Sequence, residues 1–409
     1  MAERIETVVI GGGQAGLSIS YLLTQRGREH IVFERQRVGE AWRGRWDSFT
    51  LVTPNRLTNL PGFAYHGDDP DGFLSRQGVV DYLEAYAASF NAPVRTGVEV
   101  RAVDWLEDGT YRVATSEGDY EADNVVVAAG AYQAPKLPSW SSDVPGDIVQ
   151  IHTGQYRNPH ALPEGAVLVI GSGQSGCQIT EELYKSGRRV FMSVGSAGRC
   201  PRRYRGKDSF FWLAVSGFLD RSVDKLPTPM ARFAGNPHVS GKDGGHSLNL
   251  HKFAEDGVTL LGRIRGIDGT TLSIAPDLPE KLTISDNIAA TLIKGIDDYI
   301  AYAGIDAPED PETRSDELRQ WASPPVLSEL DLKAAGIDAI IWGTGYSADF
   351  SWVHLPVFDE HSLPKQEMPA ECPGLYFLGI PFLPKQKSSL LYGVAENAEL
   401  IAGEIEARA

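Results

Sequence analysis

Apolar positions cluster most densely at two places in the chain, and at each the pattern changes abruptly from a strand to a glycine turn to a helix. Val8-Val9-Ile10 runs into Gly11-Gly12-Gly13-Gln14-Ala15-Gly16, and Leu17 to Arg26 then carries apolar residues at helical spacing. Val167-Leu168-Val169-Ile170 runs into Gly171-Ser172-Gly173-Gln174-Ser175-Gly176, and Cys177 to Ser186 follows in the same way. Unbroken apolar runs of this length predict strands buried on both faces, as in a parallel sheet covered by helices. A second strand is predicted after each helix, over His30–Phe33 and over Arg189–Met192. Val94 to Val100, Tyr111 to Thr115 and Asn124 to Ala129 also alternate or run apolar as strands do.

The two glycine runs share the G-x-G-x-x-G frame, with Gly11, Gly13 and Gly16 in the first and Gly171, Gly173 and Gly176 in the second. The first glycine makes the tight turn, the second lets backbone approach a pyrophosphate, and the third lets helix and strand pack closely. Phosphates then rest on the free amides at the positive end of the helix, here around Gln14 and Ala15, and around Ser172, Gln174 and Ser175. Two copies in the same context predict one chain that holds two dinucleotides.

The strand after each helix distinguishes the copies. The first ends on Glu34, followed by Arg35, where an acid bonds ribose hydroxyls. The second ends on Ser193, and Arg199, Arg202, Arg203, Arg205 and Lys207 follow within nine positions. An acid would repel a 2′-phosphate, whereas arginines hold one through charge-assisted hydrogen bonds. FAD is therefore expected in the first site and NADPH in the second, with Arg202 and Arg203 as candidates for the 2′-phosphate. A solvated loop accounts for one or two such residues, but less readily for five on a chain of net charge −16.

Gly130 to Asp147 contains prolines 135, 138 and 145 and reads as a hinge. Beyond the second unit, Asp338 to Tyr346 repeats the strand-then-glycine character of Asp123 to Gly130. Both segments read as strands that end beside a cofactor, which adds Ala129, Gly130 and Gly345 to the FAD site. The expected fold is α/β, with two Rossmann-like dinucleotide-binding domains and the NADPH domain inserted into the FAD domain. The boundaries are 1–147, 148–332 and 333–409.

The remaining chemistry is sparse. Cys177, Cys200 and Cys372 are the only cysteines, and no C-x-x-C pair or zinc pattern occurs, so no metal site is expected. The acidic balance argues against a nucleic-acid partner. No apolar run is long enough to span a membrane, and a strand begins almost at Met1, so a cytoplasmic location without a targeting segment is expected. No nucleophile–base pair is apparent.

Taken together, these motifs resemble those of class B flavin-dependent monooxygenases, the flavin-containing monooxygenase and YUCCA-like group. The resemblance spans nearly the whole chain. It rests on both glycine motifs, on Ala128-Ala129-Gly130 and Gly343-Thr344-Gly345-Tyr346, and on Leu51-Val52-Thr53-Pro54 through Phe63. Pro201 to Gly206 and the closing Pro373 to Gly379 complete it. Half of the group's fingerprint F-x-G-x-x-x-H-x-x-x-Y is present, as His152 and Tyr156. Val144-Pro145-Gly146 lacks the phenylalanine and has a longer spacing.

The resemblance implies that His152 and Tyr156 organise the hinge, and that Trp42, Trp46 and Gly379 lie near the flavin. The animal-type enzymes carry an Asn where Val52 stands, so Asn55 and Asn59 join Trp46 as catalytic candidates. The stretch Trp42 to Asp47 has an equally good alternative as the edge of an aromatic core. The implied activity is oxygenation of a small organic substrate by O2, activated on NADPH-reduced FAD as a C4a-hydroperoxide. A sulfide, an amine or a keto acid would serve as substrate, and assembly as a homodimer is compatible. An NADPH oxidase or reductase without a stable peroxide, or a flavoprotein sensor, stays open. Lys385 and Lys387 would suit an anionic substrate, and Phe210-Phe211-Trp212 reads more readily as domain packing than as a pocket.

Overall fold

The computed structural model describes residues 2–233 and 236–408. The first glycine run joins strand β1 (Glu3–Ile10) to helix α1 (Gln14–Gln25), which leads to strand β2 (His30–Glu34). The first sheet has the order Val94–Thr96, β2, β1, Asp119–Val127, Tyr111–Thr115, Val100–Trp105, and Leu375–Phe377 pairs with Asp119–Val127. Its centre is parallel and its far edge antiparallel. Val8 and Val9 are fully buried, as their unbroken apolar run requires. The C-terminal helix Val394–Arg408 covers α1 and closes a core with Leu17, Ile19, Leu23, Ala398, Ile401 and Ile405.

The second glycine run joins β3 (Ala166–Ile170) to α2 (Gln174–Lys185) and β4 (Val190–Ser193). Its sheet is wholly parallel, in the order Val149–His152, Ile337–Trp342, β3, β4, Thr259–Leu261. The placement of Ile337–Trp342 corrects the expectation that the chain rejoins the first domain at 333. This strand pairs on one side with β3 and on the other with Val149–His152, so it completes the inserted sheet. The likeness to Asp119–Val127 is genuine, because each of the two flanks the glycine-motif strand of its own sheet. The return to the first sheet is made later, by Leu375–Phe377.

The two connections between the domains run side by side. Ala134–Pro135 on the way out pairs antiparallel with Tyr346–Ser347 on the way back. Lys136 N–H donates to Gly345 O at 3.0 Å, which extends the pairing by one bond. Among the described residues no helix is long and apolar enough to cross a membrane.

Candidate functional site

The two glycine turns are built alike down to their close contacts. Gly11 has φ +113° and Gly171 φ +107°, a backbone region that disfavours any Cβ. A Cβ on Gly11 would lie 2.6 Å from Ala128 O, and one on Gly171 only 2.3 Å from Gly343 O. At the third glycines, a Cβ would strike the carbonyls of Gly11 and Gly171 at 1.8 and 2.0 Å. The middle glycines differ from both. A Cβ on Gly13 or Gly173 meets nothing within 4 Å. Each stands at the start of its helix with no side chain capping the free amides. The fold therefore explains the outer glycines, while the middle ones open onto a bare helix N-terminus that a phosphate group fits.

Glutamines hold both turns in the same way. Gln14 donates to Ser389 O at 3.0 Å and accepts from Trp42 Nε1 at 3.1 Å, so Trp42 braces the first turn. Gln174 bonds both the N–H and the carbonyl of Val239, which fixes the hairpin Val239–Ser240/His246–Ser247 over the second. Gly379, with φ +81°, brings the C-terminal segment beside Ala15 of the first turn. Gly345, expected at the first site, instead follows the strand that flanks the second motif. Its carbonyl accepts from His152 Nε2 at 3.0 Å.

The two mouths differ in charge. Glu34 accepts from Gly12 N–H at 2.7 Å and from Gln36 N–H at 2.9 Å, so its carboxylate stands at the rim of the first turn. At the equivalent place Ser193 donates to Gly262 O at 3.0 Å, and Ser172 Oγ accepts from Gly195 N–H at 3.0 Å. The arginines expected there are engaged elsewhere. Arg202 is only 2% exposed; it lies between the rings of Phe73 and Phe210, donates to Val52 O at 2.8 Å and pairs with Asp208. Arg203 donates to the carbonyls of Gly244 and Gly245. Arg199 is buried against Asp286 and Glu317, and Arg205 pairs with Asp297 and Glu309. Residue counting registered the positive charges but not the acids that answer them. The cation it passed over is Arg263, next to the Gly262 carbonyl that Ser193 bonds; it is exposed and forms no ion pair among the described residues.

The catalytic candidates also move. Asn55 is 4% exposed and uses both ends of its amide inside its own loop, donating to Asp69 O at 2.8 Å and accepting from Leu74 N–H at 2.6 Å. Asn59 is exposed on a two-residue strand. Trp46 is buried in the core of the inserted domain, edge-on to Phe49, in the cluster that also contains Tyr156. The sequence offered no sign of the Asn55 partners, whereas the aromatic-core alternative for Trp42 to Asp47 anticipated the burial of Trp46. Lys385 and Lys387 both pair with Asp220 and Glu396 and leave no charge for a substrate. Trp212 is buried against the long helix Leu278–Ala303, as the packing alternative anticipated.

His152 lies at the junction of the two domains. Its Nδ1 accepts from Gly154 N–H at 3.3 Å, so Nε2 carries the proton given to Gly345 O. Burial and the nearby Arg45 cation lower its pKa and keep it neutral. Its ring meets that of Tyr346 edge-on at 4.5 Å, and Tyr132 lies 5.9 Å from Tyr346. Tyr156 is buried and donates to Glu182 at 2.9 Å. Tyr132 carried no periodic or motif signal, and Tyr346, though it closes the Gly343-Thr344-Gly345-Tyr346 motif, was not marked as its partner.

The profile of the pyridine nucleotide-disulphide oxidoreductase family matches residues 8–209. An uncharacterized CzcO-like oxidoreductase of Geobacillus kaustophilus is 31% identical over 409 residues, covering 99% of each chain. The chain belongs to the CzcO-like oxidoreductases. The indole-3-pyruvate monooxygenase YUCCA1 of Oryza sativa is 31% identical over 219 residues, 51% of this chain and 53% of that one. A flavin-containing monooxygenase from Stenotrophomonas maltophilia shares the fold, with a TM-score of 0.66, 20% identity and 99% of each chain covered. Cys177, Cys200 and Cys372 are all free and buried.

Proposed function

We propose that this CzcO-like protein is a cytoplasmic, FAD- and NADPH-dependent monooxygenase acting on a small organic substrate and O2. The observation that carries this reading is the pair of open cradles at Gly13 and Gly173, one with Glu34 ending its second strand and one with Ser193 there. Gly11, Gly13, Gln14, Ala15, Gly16 and Glu34 would hold FAD, and Gly171 through Gly176 would hold NADPH. A bound flavin supplies the two electrons that dioxygen needs for insertion of one oxygen atom into an electron-rich substrate.

The chain's own residues orient, exclude water and bind. Gln14 and Gln174 pin a segment over each turn. Neutral His152 joins the second sheet's edge to the returning linker and fixes the junction where the two cofactors would meet. Ser193 puts no acid at the end of β4, where Glu34 ends β2, and Arg263, next to the Gly262 carbonyl that Ser193 bonds, is the exposed cation that would answer a 2′-phosphate; Asp277, which accepts from Arg263 N–H at 2.9 Å, is the neighbouring acid. The likeness to an indole-3-pyruvate monooxygenase favours a keto acid among the substrate classes.

Rapid mixing of NADPH-reduced protein with oxygenated buffer tests the reading. A flavin absorbance distinct from both the reduced and the oxidised forms, whose decay responds to an added sulfide, amine or keto acid, supports it. Direct return to oxidised flavin with one hydrogen peroxide per turnover, with and without that panel, favours an NADPH oxidase.

A further inference from the structure

The hairpin over the second glycine turn is fastened at both ends to one face of α2. Gln174, at the start of the helix, bonds the N–H and the carbonyl of Val239. Seven residues on, and so two turns down the same face, Glu181 accepts from His246 Nε2 at 2.7 Å. Between these fastenings the turn 241–245 enters the gap between the domains. A Cβ on Gly241 would run into Leu51 O and the Phe73 ring, and one on Gly245 would lie 2.6 Å from that ring. The hairpin thus touches the helix of the second cradle on one side and a loop of the first domain on the other.

Both ring nitrogens of His246 face acceptors. Nε2 meets the Glu181 carboxylate, and Nδ1 lies 3.2 Å from Lys242 O, a carbonyl that can only accept. A neutral imidazole satisfies one of them, and the imidazolium satisfies both. His152 is the contrast, because Gly154 N–H donates to its Nδ1. Burial works against the Glu181 charge, but the bonds from His246 and Lys185 outweigh it and hold this carboxyl below its ordinary pKa. Lys185, at 2.8 Å, shares the same carboxylate oxygen and stays on it when His246 loses its proton. The fold therefore keeps an ion pair that the hairpin gives up. Lys242 and Asp243 in the hairpin, and Arg203 and the Arg202–Asp208 pair beside it, are the further charged groups on the elements packed here. The first domain meets the hairpin through Leu51 O and Phe73, neither of them charged.

We infer that the His246 imidazolium, bonded to Glu181, is a positioning group for the nicotinamide dinucleotide, holding the hairpin between the second cradle and the first domain. Loss of its proton frees one end of the hairpin, which must then be ordered again when the dinucleotide binds. The inference rests on the assignment of NADPH to the second cradle and makes the grip on that ligand depend on pH.

Calorimetric titration of the FAD-loaded protein with NADP+ at a series of pH values tests it without turnover. At about pH 6, His246→Gln should bind NADP+ at least about fivefold more weakly than wild type, and the gap should close by about pH 9, where an imidazole is neutral. The ratio of the two affinities removes the titration of the 2′-phosphate, which both measurements share. A ratio that stays constant across the range overturns the inference, because His246 would then serve the fold alone. Equal binding at the acid end overturns it as well. If His246→Gln does not fold, Glu181→Gln decides: it should bind as wild type does at the alkaline end throughout, and a pH dependence like that of wild type overturns the inference. Absence of NADP+ binding at every pH would overturn the cradle assignment and this inference together. A protein that grips NADP+ in this pH-dependent way but forms no oxygenating species would refute the proposed oxygenase and leave the role of His246 standing.

Discussion

Substitution of alanine along one glycine turn separates what the fold needs from what the cofactor needs. At Gly173 the added Cβ meets nothing within 4 Å, and φ of −72° is allowed for alanine. The entropy gained by removing a glycine and the poorer helix cap oppose one another, so stability should change by less than about 1 kcal/mol. The same methyl would occupy the space that a pyrophosphate must enter. Displacing a phosphate from one amide costs about 1.5–3 kcal/mol, which is roughly a ten- to hundredfold weaker Kd for NADPH. At Gly171 the balance reverses. Its φ of +107° and a Cβ 2.3 Å from Gly343 O should cost at least about 2 kcal/mol of stability, whatever is bound.

The assay is urea unfolding without nicotinamide, followed by NADPH titration of the folded protein. Gly13→Ala serves as the matched control in the other half; it should lose FAD and keep the inserted domain's affinity for NADPH. Wild-type NADPH affinity in a stable Gly173→Ala variant would refute the assignment of that cradle to a dinucleotide. A Gly171→Ala variant as stable as wild type would refute the packing argument. Identical behaviour of Gly13→Ala and Gly173→Ala would refute the assignment of one cofactor to each half.

Three further outcomes follow from side-chain contacts. Arg202→Ala should cost about 3–5 kcal/mol, because it deletes a buried side chain and takes the charge partner from half-buried Asp208, yet keep the NADPH-to-NADH preference within about twofold. Arg263→Ala should do the opposite, and loss of that preference in Arg202→Ala alone would restore the original assignment. Asn55→Ala should lower stability by about 1–3 kcal/mol through two lost loop bonds and leave flavin reoxidation by O2 unchanged; altered reoxidation at wild-type stability would make Asn55 a reacting group after all. His238 is fully buried without partners for either ring nitrogen, and burial together with the Arg199 cation pushes its pKa down to about 3. The unfolded chain takes up a proton below about pH 6.5 that the native protein refuses until about pH 3, so stability falls across that window and loses about 2 kcal/mol by pH 5. His238→Leu should flatten the pH dependence of the urea midpoint between 7 and 5, and an unchanged slope would show that His238 is not held neutral by burial.

The fold was legible because its signals are local and repeated. Strand, glycine turn and helix lie within 20 residues of one another in each half, and steric demands at Gly11, Gly16, Gly171 and Gly176 leave little freedom in residue choice. The membership of Ile337–Trp342 was not legible. A strand's own residues say that it is buried, but its neighbours are settled by parallel pairing across more than 160 residues of intervening chain. Both sheets place an equivalent strand at the same position, so the repeat that revealed two domains also hid which domain owned this strand.

The site divides along the same line. Backbone cradles could be read directly, since a phosphate on free amides depends on turn geometry that glycine spacing encodes. Side-chain roles could not, because charge in a sequence is counted without its partners. Five basic residues between Arg199 and Lys207 looked like a phosphate clamp. Three of the arginines are instead neutralised by Asp286, Glu317, Asp208, Asp297 and Glu309, drawn from as far as 118 residues away. In a chain with 54 acidic residues against 38 basic ones, the informative cation is the one left over. Arg263, exposed and next to the Gly262 carbonyl that Ser193 bonds, is one such cation among the described residues, in the half of the chain where a 2′-phosphate would have to be held.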